Sequence, residues 1–285
     1  MDASQIKTHI AELSREYGVQ EFEVISTIED LFSRHLSRWH NEEVLVRILE
    51  DYTLDATAAN PLTGNLEPRK VTASSLKINS SKGFNSIRRQ IGKLLYRKAT
   101  LKEASIYHQF LHDVVEGEIA LVDKATGRLY VELEMLRGEP FTAICEYKHQ
   151  TPYMRKNAHY LVGEKMDFHL NKIEVVEVQG VPRINIYVDR TSKTLVTKLL
   201  KRHLNGSAAT TRLSCVKRIV GGYSLVLSSQ RIPQAAIVAV DRALRERIRV
   251  FATPENVSPD SITFVKGKIQ CSDLEKRKPK NLSGQ

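Results

Sequence analysis

Apolar residues recur at three- and four-residue steps through the first 50 positions. Phe22, Ile25, Ile28, Leu31, Phe32 and Leu36 fall on one stripe, and Val44, Leu45 and Ile48 continue the spacing, so the whole stretch is predicted to be helical. Residues 51–82 are rich in Pro, Asn, Ser and Thr, which predicts turns with one or two short strands, such as 70–78. A second long helix is expected to start at an N-cap on Ser86, with Ile87, Ile91, Leu94 and Leu95, then Ile106, Phe110 and Leu111, along its apolar face.

From Glu116 the period drops to two. Residues 117–123, 128–134 and 141–147 alternate apolar and polar positions and are separated by KATG and RGEP turns. A polar stretch, HQTPYMRKNAHYLVG, interrupts the series. Two more strands, 165–178 and 182–189, follow around QGVP. Five short strands with the longest interruption after the third are the layout of an OB barrel. Beyond it come a helix at 192–204, strands at 211–220 and 223–229 joined at Gly221–Gly222, a helix from Pro233 to about Arg247, and a strand-like IRVF. The fold class predicted is α+β and multidomain.

Charge sharpens these boundaries. The net charge is +10, but it is unevenly distributed. Residues 1–60 carry 12 acidic and 5 basic side chains, 61–112 carry 2 and 10, 113–190 carry 13 and 10, and 191–285 carry 6 and 18. Solubility alone does not sort signs in this way, whereas contact with polyphosphate does, because each neutralised phosphate releases counterions. Arg89, Lys93 and Arg97 recur every four residues on the second long helix, Arg88, Lys98 and Lys102 widen the stripe, and Glu103 is the one acid between Asn85 and Gln109. In the barrel segment Tyr130, Tyr147, Tyr153 and Tyr160 interleave with Arg128, Lys148, His149, Arg155 and Lys156, the mixture that stacks bases and holds phosphates. Tyr160, which precedes Leu161 and Val162, is expected to be a core residue, and Tyr130 the base-contacting ring.

Catalytic patterns are missing from the sequence. There is no phosphate-binding lysine loop, GxGxxG, GxSxG, HExxH or CxxC. His108 and His112 are four apart, just before Asp113, and could share a helical face, but there is no HExxH and a strand follows directly, so they are expected to be surface or interdomain histidines. Cys145, Cys215 and Cys271 form neither a disulfide framework nor a zinc site and are expected to be small buried residues. No stretch approaches the roughly 20 apolar residues of a spanning helix, and the first residues lack a signal-peptide core. The expectation is a cytoplasmic, non-enzymatic protein with no cofactor, metal, membrane or small-molecule substrate.

The stretch VPRINIYVDRTSKTLVTKLLKRHL carries a more specific signal. It resembles the junction between OB barrel and first KH domain in the NusA family of bacterial elongation, pausing and antitermination factors. There a strand ends in a Ser-Arg-Thr or Thr-Arg-Ser motif and a short helix follows. Asp189, Arg190, Thr191 and Ser192 stand at that place, and Phe110, Gly117 and Ile119 match the approach to the barrel. The barrel is similar to the ribosomal-protein S-one type, whose second-strand aromatic contacts RNA, and Tyr130 matches it. The likeness spans about residues 15–250.

The resemblance implies a polymerase-binding N-terminal domain (1–112), an OB RNA-binding domain (113–190), a KH-like domain (191–265) and a basic flexible tail (266–285). Glu21, Phe22, Ile25 and Glu29 would face RNA polymerase, and Arg88, Arg89, Lys93 and Arg97 the nascent single-stranded RNA. Other elongation factors are candidate further partners. KH domains clamp the RNA backbone with a GxxG loop, and residues 212–251 contain none. The module is therefore read as degenerate, with Arg231, Arg242, Arg245 and Arg249 as its RNA contacts. Two other readings stay open: a ribosome- or RNA-decay-associated OB/KH protein, and a protein–protein adaptor.

Overall fold

The computed structural model of the chain describes residues 3–76, 78–136, 139–156, 159–204, 210–252, 262–265 and 268–271. The fold is α+β. Two compact units emerge, Met1–Ile106 with Glu174–Ile184, and Tyr107–Ile173 with Asn185–Gln285.

The first unit holds α1 (Ala3–Tyr17), α2 (Glu21–His40), a sheet of β1 (Val44–Ile48), β2 (Leu54–Ala59) and β3 (Leu66–Pro68), and α3 (Ser81–Tyr107). A capping box between Gln20 and Glu23 starts α2, and Asn41 ends it in the left-handed region at φ 56°. The helix predicted through residue 48 is therefore cut at His40. Val44 and Val46 turn inward as alternate residues of β1, paired with Ala58 and Ala56 of β2. Within the strand expected over 70–78, residues 73–76 instead form a turn, and Thr72 and Ser75 exchange hydroxyl and backbone hydrogen bonds. α3 begins six residues earlier than predicted, with the Ser80 hydroxyl accepting from Gly83 N–H at 3.1 Å. Ile10, Val24, Leu36, Leu76, Ile91 and Leu95 lie in the core that the helices and sheet share.

β4 (Val114–Val122), β5 (Leu129–Leu136), β6 (Glu139–Cys145), β7 (Lys165–Val178) and β8 (Val181–Asp189) close a barrel in the order β4-β5-β6-β8-β7, all of it in the second unit except the 174–184 hairpin end of β7 and β8. Ile119, Leu129, Val131, Leu133, Ala143, Phe168 and Ile186 fill it. Gly117 is required for this packing. A Cβ there would lie 2.5 Å from side-chain carbons of both Val131 and Leu133. A short helix α4 (Pro152–Lys156) bridges β6 and β7, and the Tyr160 hydroxyl, buried as expected, accepts from Thr151 N–H at 2.9 Å.

The chain continues through α5 (Lys193–Arg202), β9 (Leu213–Ile219), β10 (Tyr223–Ser228), α6 (Gln234–Leu244) and β11 (Arg247–Ala252). The sheet order is β11-β10-β9, with β10 antiparallel to β9 and parallel to β11. Leu195, Leu199, Ala236, Val240 and Leu244 of the two helices pack on Cys215, Val226 and Ile248, so one sheet face is covered by helices. Cys145 and Cys215 are buried free thiols, and burial pushes both upward in pKa. β12 (Ile262–Val265) pairs antiparallel with β13 (Lys268–Cys271), so strand structure extends past residue 266, where the basic tail is expected to begin. Residues 272–285 lie outside the described residues.

Candidate nucleic-acid interface

On α3 the predicted basic stripe is exposed. Arg88, Arg89, Lys93 and Arg97 all reach solvent, because Ile87, Ile91 and Leu95 take the buried side. Arg89, Lys93 and Arg97 hold no ion pair among the described residues, whereas Arg88 stands 3.8 Å from Glu16. Sequence reading missed Tyr96. It is 43% exposed, and its place seven residues after Arg89 and three after Lys93 sets it among those cations. The signal was available, an aromatic on the wrong side for a core residue.

Tyr130 occupies the barrel's outer surface between the buried Leu129 and Val131. Strand register extends a row from it. Leu121 of β4 pairs with Tyr130, Tyr130 with Ile144 of β6, and Ile144 with Tyr187 of β8. Lys172 of β7 places its ammonium 5.8 Å from the Tyr187 ring centroid. Tyr187 is the second aromatic of this face and was also missed, since β6–β8 pairing is not visible in the sequence. Along β5 the outer stripe changes sign. Arg128 precedes Tyr130, and the exposed Glu132 and Glu134 follow, so any polyanion is favoured at one end of the strand only.

Several predicted residues cluster at that end and prove largely committed to one another. Lys148 sits 2.9 Å from Glu146, and this bond holds the Glu146 carboxyl below the ordinary glutamate range. His149 lies 4.0 Å from the same carboxylate. Arg155 stacks over Tyr147, 4.7 Å from the ring centroid, and donates to the Tyr147 carbonyl at 2.9 Å. Tyr153 is 57% exposed with His159 stacked at 5.3 Å, and Lys156 is exposed. Arg128, Tyr153 and Lys156 are thus the open groups of this cluster.

The four C-terminal arginines do not converge. Arg231, Arg242, Arg245 and Arg249 are all exposed. Arg242 lies on α6, over one face of the sheet, while Arg249 alternates with the inward Ile248 and Val250 and so points from the opposite face. Arg245 is left-handed at φ 54°, ends α6 three residues before the predicted point and reaches to 3.8 Å from Glu164. Of the N-terminal set, Glu21 and Phe22 are exposed, Phe22 by 69%. Ile25 instead packs against the core, and Glu29 accepts the Ile48 N–H at 2.8 Å. Those two side chains serve the fold.

The Asp189–Ser192 motif is internal. Asp189 accepts from Thr191 and Ser192 N–H at 3.0 and 2.7 Å and meets His169 Nδ1 at 2.8 Å. Burial opposes its charge, but the bonds and charge of His169 with the two backbone donors bring its pKa below the ordinary value. Arg190, fully buried, donates to the carbonyls of Asp167 (2.7 Å) and Ala243 (3.0 Å). Ser192 caps α5, and its carbonyl accepts from Arg218, whose own partner is the buried Glu246 at 2.9 Å. Glu246 also accepts from Gly221 N–H and the Ser224 hydroxyl, both at 3.0 Å. This network fixes geometry, and His169 Nε2 and Arg190 Nε are the buried nitrogens in it without a hydrogen-bond partner.

No protein-family model and no curated protein matches the chain. Functional inference therefore rests on the residues themselves. His108 and His112 do not share a helical face: His108 is on a 3-10 turn, while His112 is left-handed at φ 66° and stacks on His169 at 5.7 Å. Among the described residues no group of three or more His, Cys, Asp or Glu could hold a metal, and no helix is long and apolar enough to cross a membrane.

Proposed function

We propose that this protein is a non-catalytic, cytoplasmic RNA-binding transcription factor of NusA type, which associates with RNA polymerase and nascent RNA to modulate pausing, termination or antitermination. The observation that carries the reading is the α3 surface, where Arg89, Lys93 and Arg97, with no ion pair among the described residues, share the exposed side of the helix with Tyr96. Single-stranded RNA suits such a surface, with rings taking bases and cations taking phosphates. Further support comes from the closed five-stranded barrel, which has the strand count and long third connection of an OB fold and bears Tyr130 and Tyr187 outside. The α-β-β-α-β order after Asp189, with mixed strand directions, supports a KH-like module short of one helix and its GxxG. Phe22 and Glu21 supply the exposed part of the polymerase-facing surface.

Fluorescence anisotropy with a labelled single-stranded RNA tests the reading. The affinity of the native chain should fall steeply with salt. Charge reversal of Arg89, Lys93 and Arg97 should weaken binding and flatten the salt dependence by up to about 2 logarithmic units per decade, at roughly 0.7 per phosphate contact. Core polymerase should co-purify with the native chain and much less with Phe22→Ala/Glu21→Lys. RNA binding that is absent, or unchanged by salt and by these variants, overturns the reading. Ribosome recovery without polymerase would favour a translation-associated protein.

A further inference from the structure

Arg242 and Arg249 lie on opposite faces of the C-terminal sheet, and Arg249 belongs to the face away from α5 and α6. Register builds that face row by row. Ile219 of β9 pairs with Tyr223 of β10, and Tyr223 with Arg247 of β11. The next row is Lys217, Leu225 and Arg249. A register shift between Leu225 and Val226 brings Lys217 to the same face as Leu225, while Cys215 opposite Val226 faces the helices. Lys217, Ile219, Arg247 and Arg249 are exposed, and the Lys217 ammonium stands 5.7 Å from the Tyr223 ring centroid. No acidic residue occupies either row, and none of the three cations has an ion-pair partner among the described residues. Arg218 and Arg245, by contrast, are paired.

We infer that this sheet face is a second single-stranded RNA-binding surface, in which a base stacks on Tyr223 while Lys217, Arg247 and Arg249 hold the flanking phosphates. The ring sits on the central strand with cations on both neighbouring strands, the arrangement that serves stacking and phosphate contact together. Uncompensated like charges repel one another in the free protein, and a polyanion relieves that repulsion. Glu246 supports the platform from behind. It holds Gly221 N–H and the Ser224 hydroxyl on either side of Tyr223, and the Gly221 turn seats against Thr151 and Tyr153, where a Cβ would come within 3.5 and 3.9 Å. The grip of the C-terminal module thus moves from the helix side, where Arg242 lies, to the sheet side. This inference rests on the RNA-binding reading above.

The test measures binding of a labelled 12-nucleotide RNA to the full chain, native and variant, by anisotropy across a salt series, with circular dichroism confirming each fold. Tyr223→Ala should weaken binding roughly five- to hundred-fold, the effect of losing one stacked base, whereas Tyr223→Phe, which keeps the ring, should bind as the native chain does. Lys217→Gln/Arg247→Gln, at exposed positions, should lower the salt slope by about 1.4 if both side chains contact phosphate; it serves as the decisive variant should Tyr223→Ala fail to fold. Arg242→Gln on the helix side should bind as the native chain. If the native chain binds RNA but the sheet-face variants are neutral, or Arg242→Gln alone weakens binding, the inference is overturned and the proposed function stands. If the native chain binds no RNA, both fall.

Discussion

Glu246 is the residue whose loss the structure prices most clearly. Its side chain is 0% exposed and its partner Arg218 2% exposed, at 2.9 Å. Glu246→Ala leaves the guanidinium with the neutral Ser192 carbonyl but no counter-ion and removes the acceptor for Gly221 N–H and the Ser224 hydroxyl. Breaking one side of a buried ion pair costs about 3–5 kcal/mol. Arg218→Ala is milder, about 2–3 kcal/mol, because Glu246 keeps two neutral donors at 3.0 Å. Removing both leaves no stranded charge, so the double variant should fall short of the sum by about 2 kcal/mol. Urea unfolding followed by far-ultraviolet circular dichroism reads all four corners of this cycle. With a slope near 2–3 kcal/mol per molar, Glu246→Ala should lower the midpoint by about 1–2 M. A loss below about 1 kcal/mol, or strict additivity, would refute the picture of a dry, mutually dependent pair.

Two further outcomes follow from packing and protonation. Gly117→Ala drives a methyl to 2.5 Å from side-chain carbons of Val131 and Leu133, both 0% exposed, and should destabilise the chain by about 1–3 kcal/mol in the same titration; a neutral result would mean that the barrel interior yields easily. Asp189 is depressed below the ordinary aspartate value of 3.8, so its stabilisation is complete above that pH and is lost as pH falls through the lower folded value. Asp189→Asn should therefore remove that increment at neutral pH and flatten the acid limb of the stability profile, and an unchanged limb would count against the assignment.

The barrel was legible because its strands are half-buried, and alternation survives in sequence when one face is wet and the other dry. The helical misreading of Val44–Ile48 arose because a one- and three-residue spacing of apolar positions fits either period over so short a stretch; Asn41, a left-handed helix stop, was the overlooked arbiter. The start of α3 was misplaced because Ser80 and Ser86 are equally good caps locally; the Ser80 hydroxyl takes the Gly83 N–H, and Ser86 lies inside the helix. Among site residues, periodicity found the α3 cations, since neighbours on a helix are neighbours in sequence. The row from Leu121 through Tyr130 and Ile144 to Tyr187 depends on pairing between distant strands, and the division of Arg242 from Arg249 depends on which sheet face the helices cover. Neither is encoded in local spacing.

The reach of Arg190 to the Ala243 carbonyl, 53 residues further on, bears on the order in which the molecule can be completed during synthesis. Every barrel strand has been made once Asp189 is added, yet the guanidinium just after it lacks one of its two side-chain carbonyl acceptors until α6 exists. A nascent chain paused between these points carries a barrel with an unfinished seam.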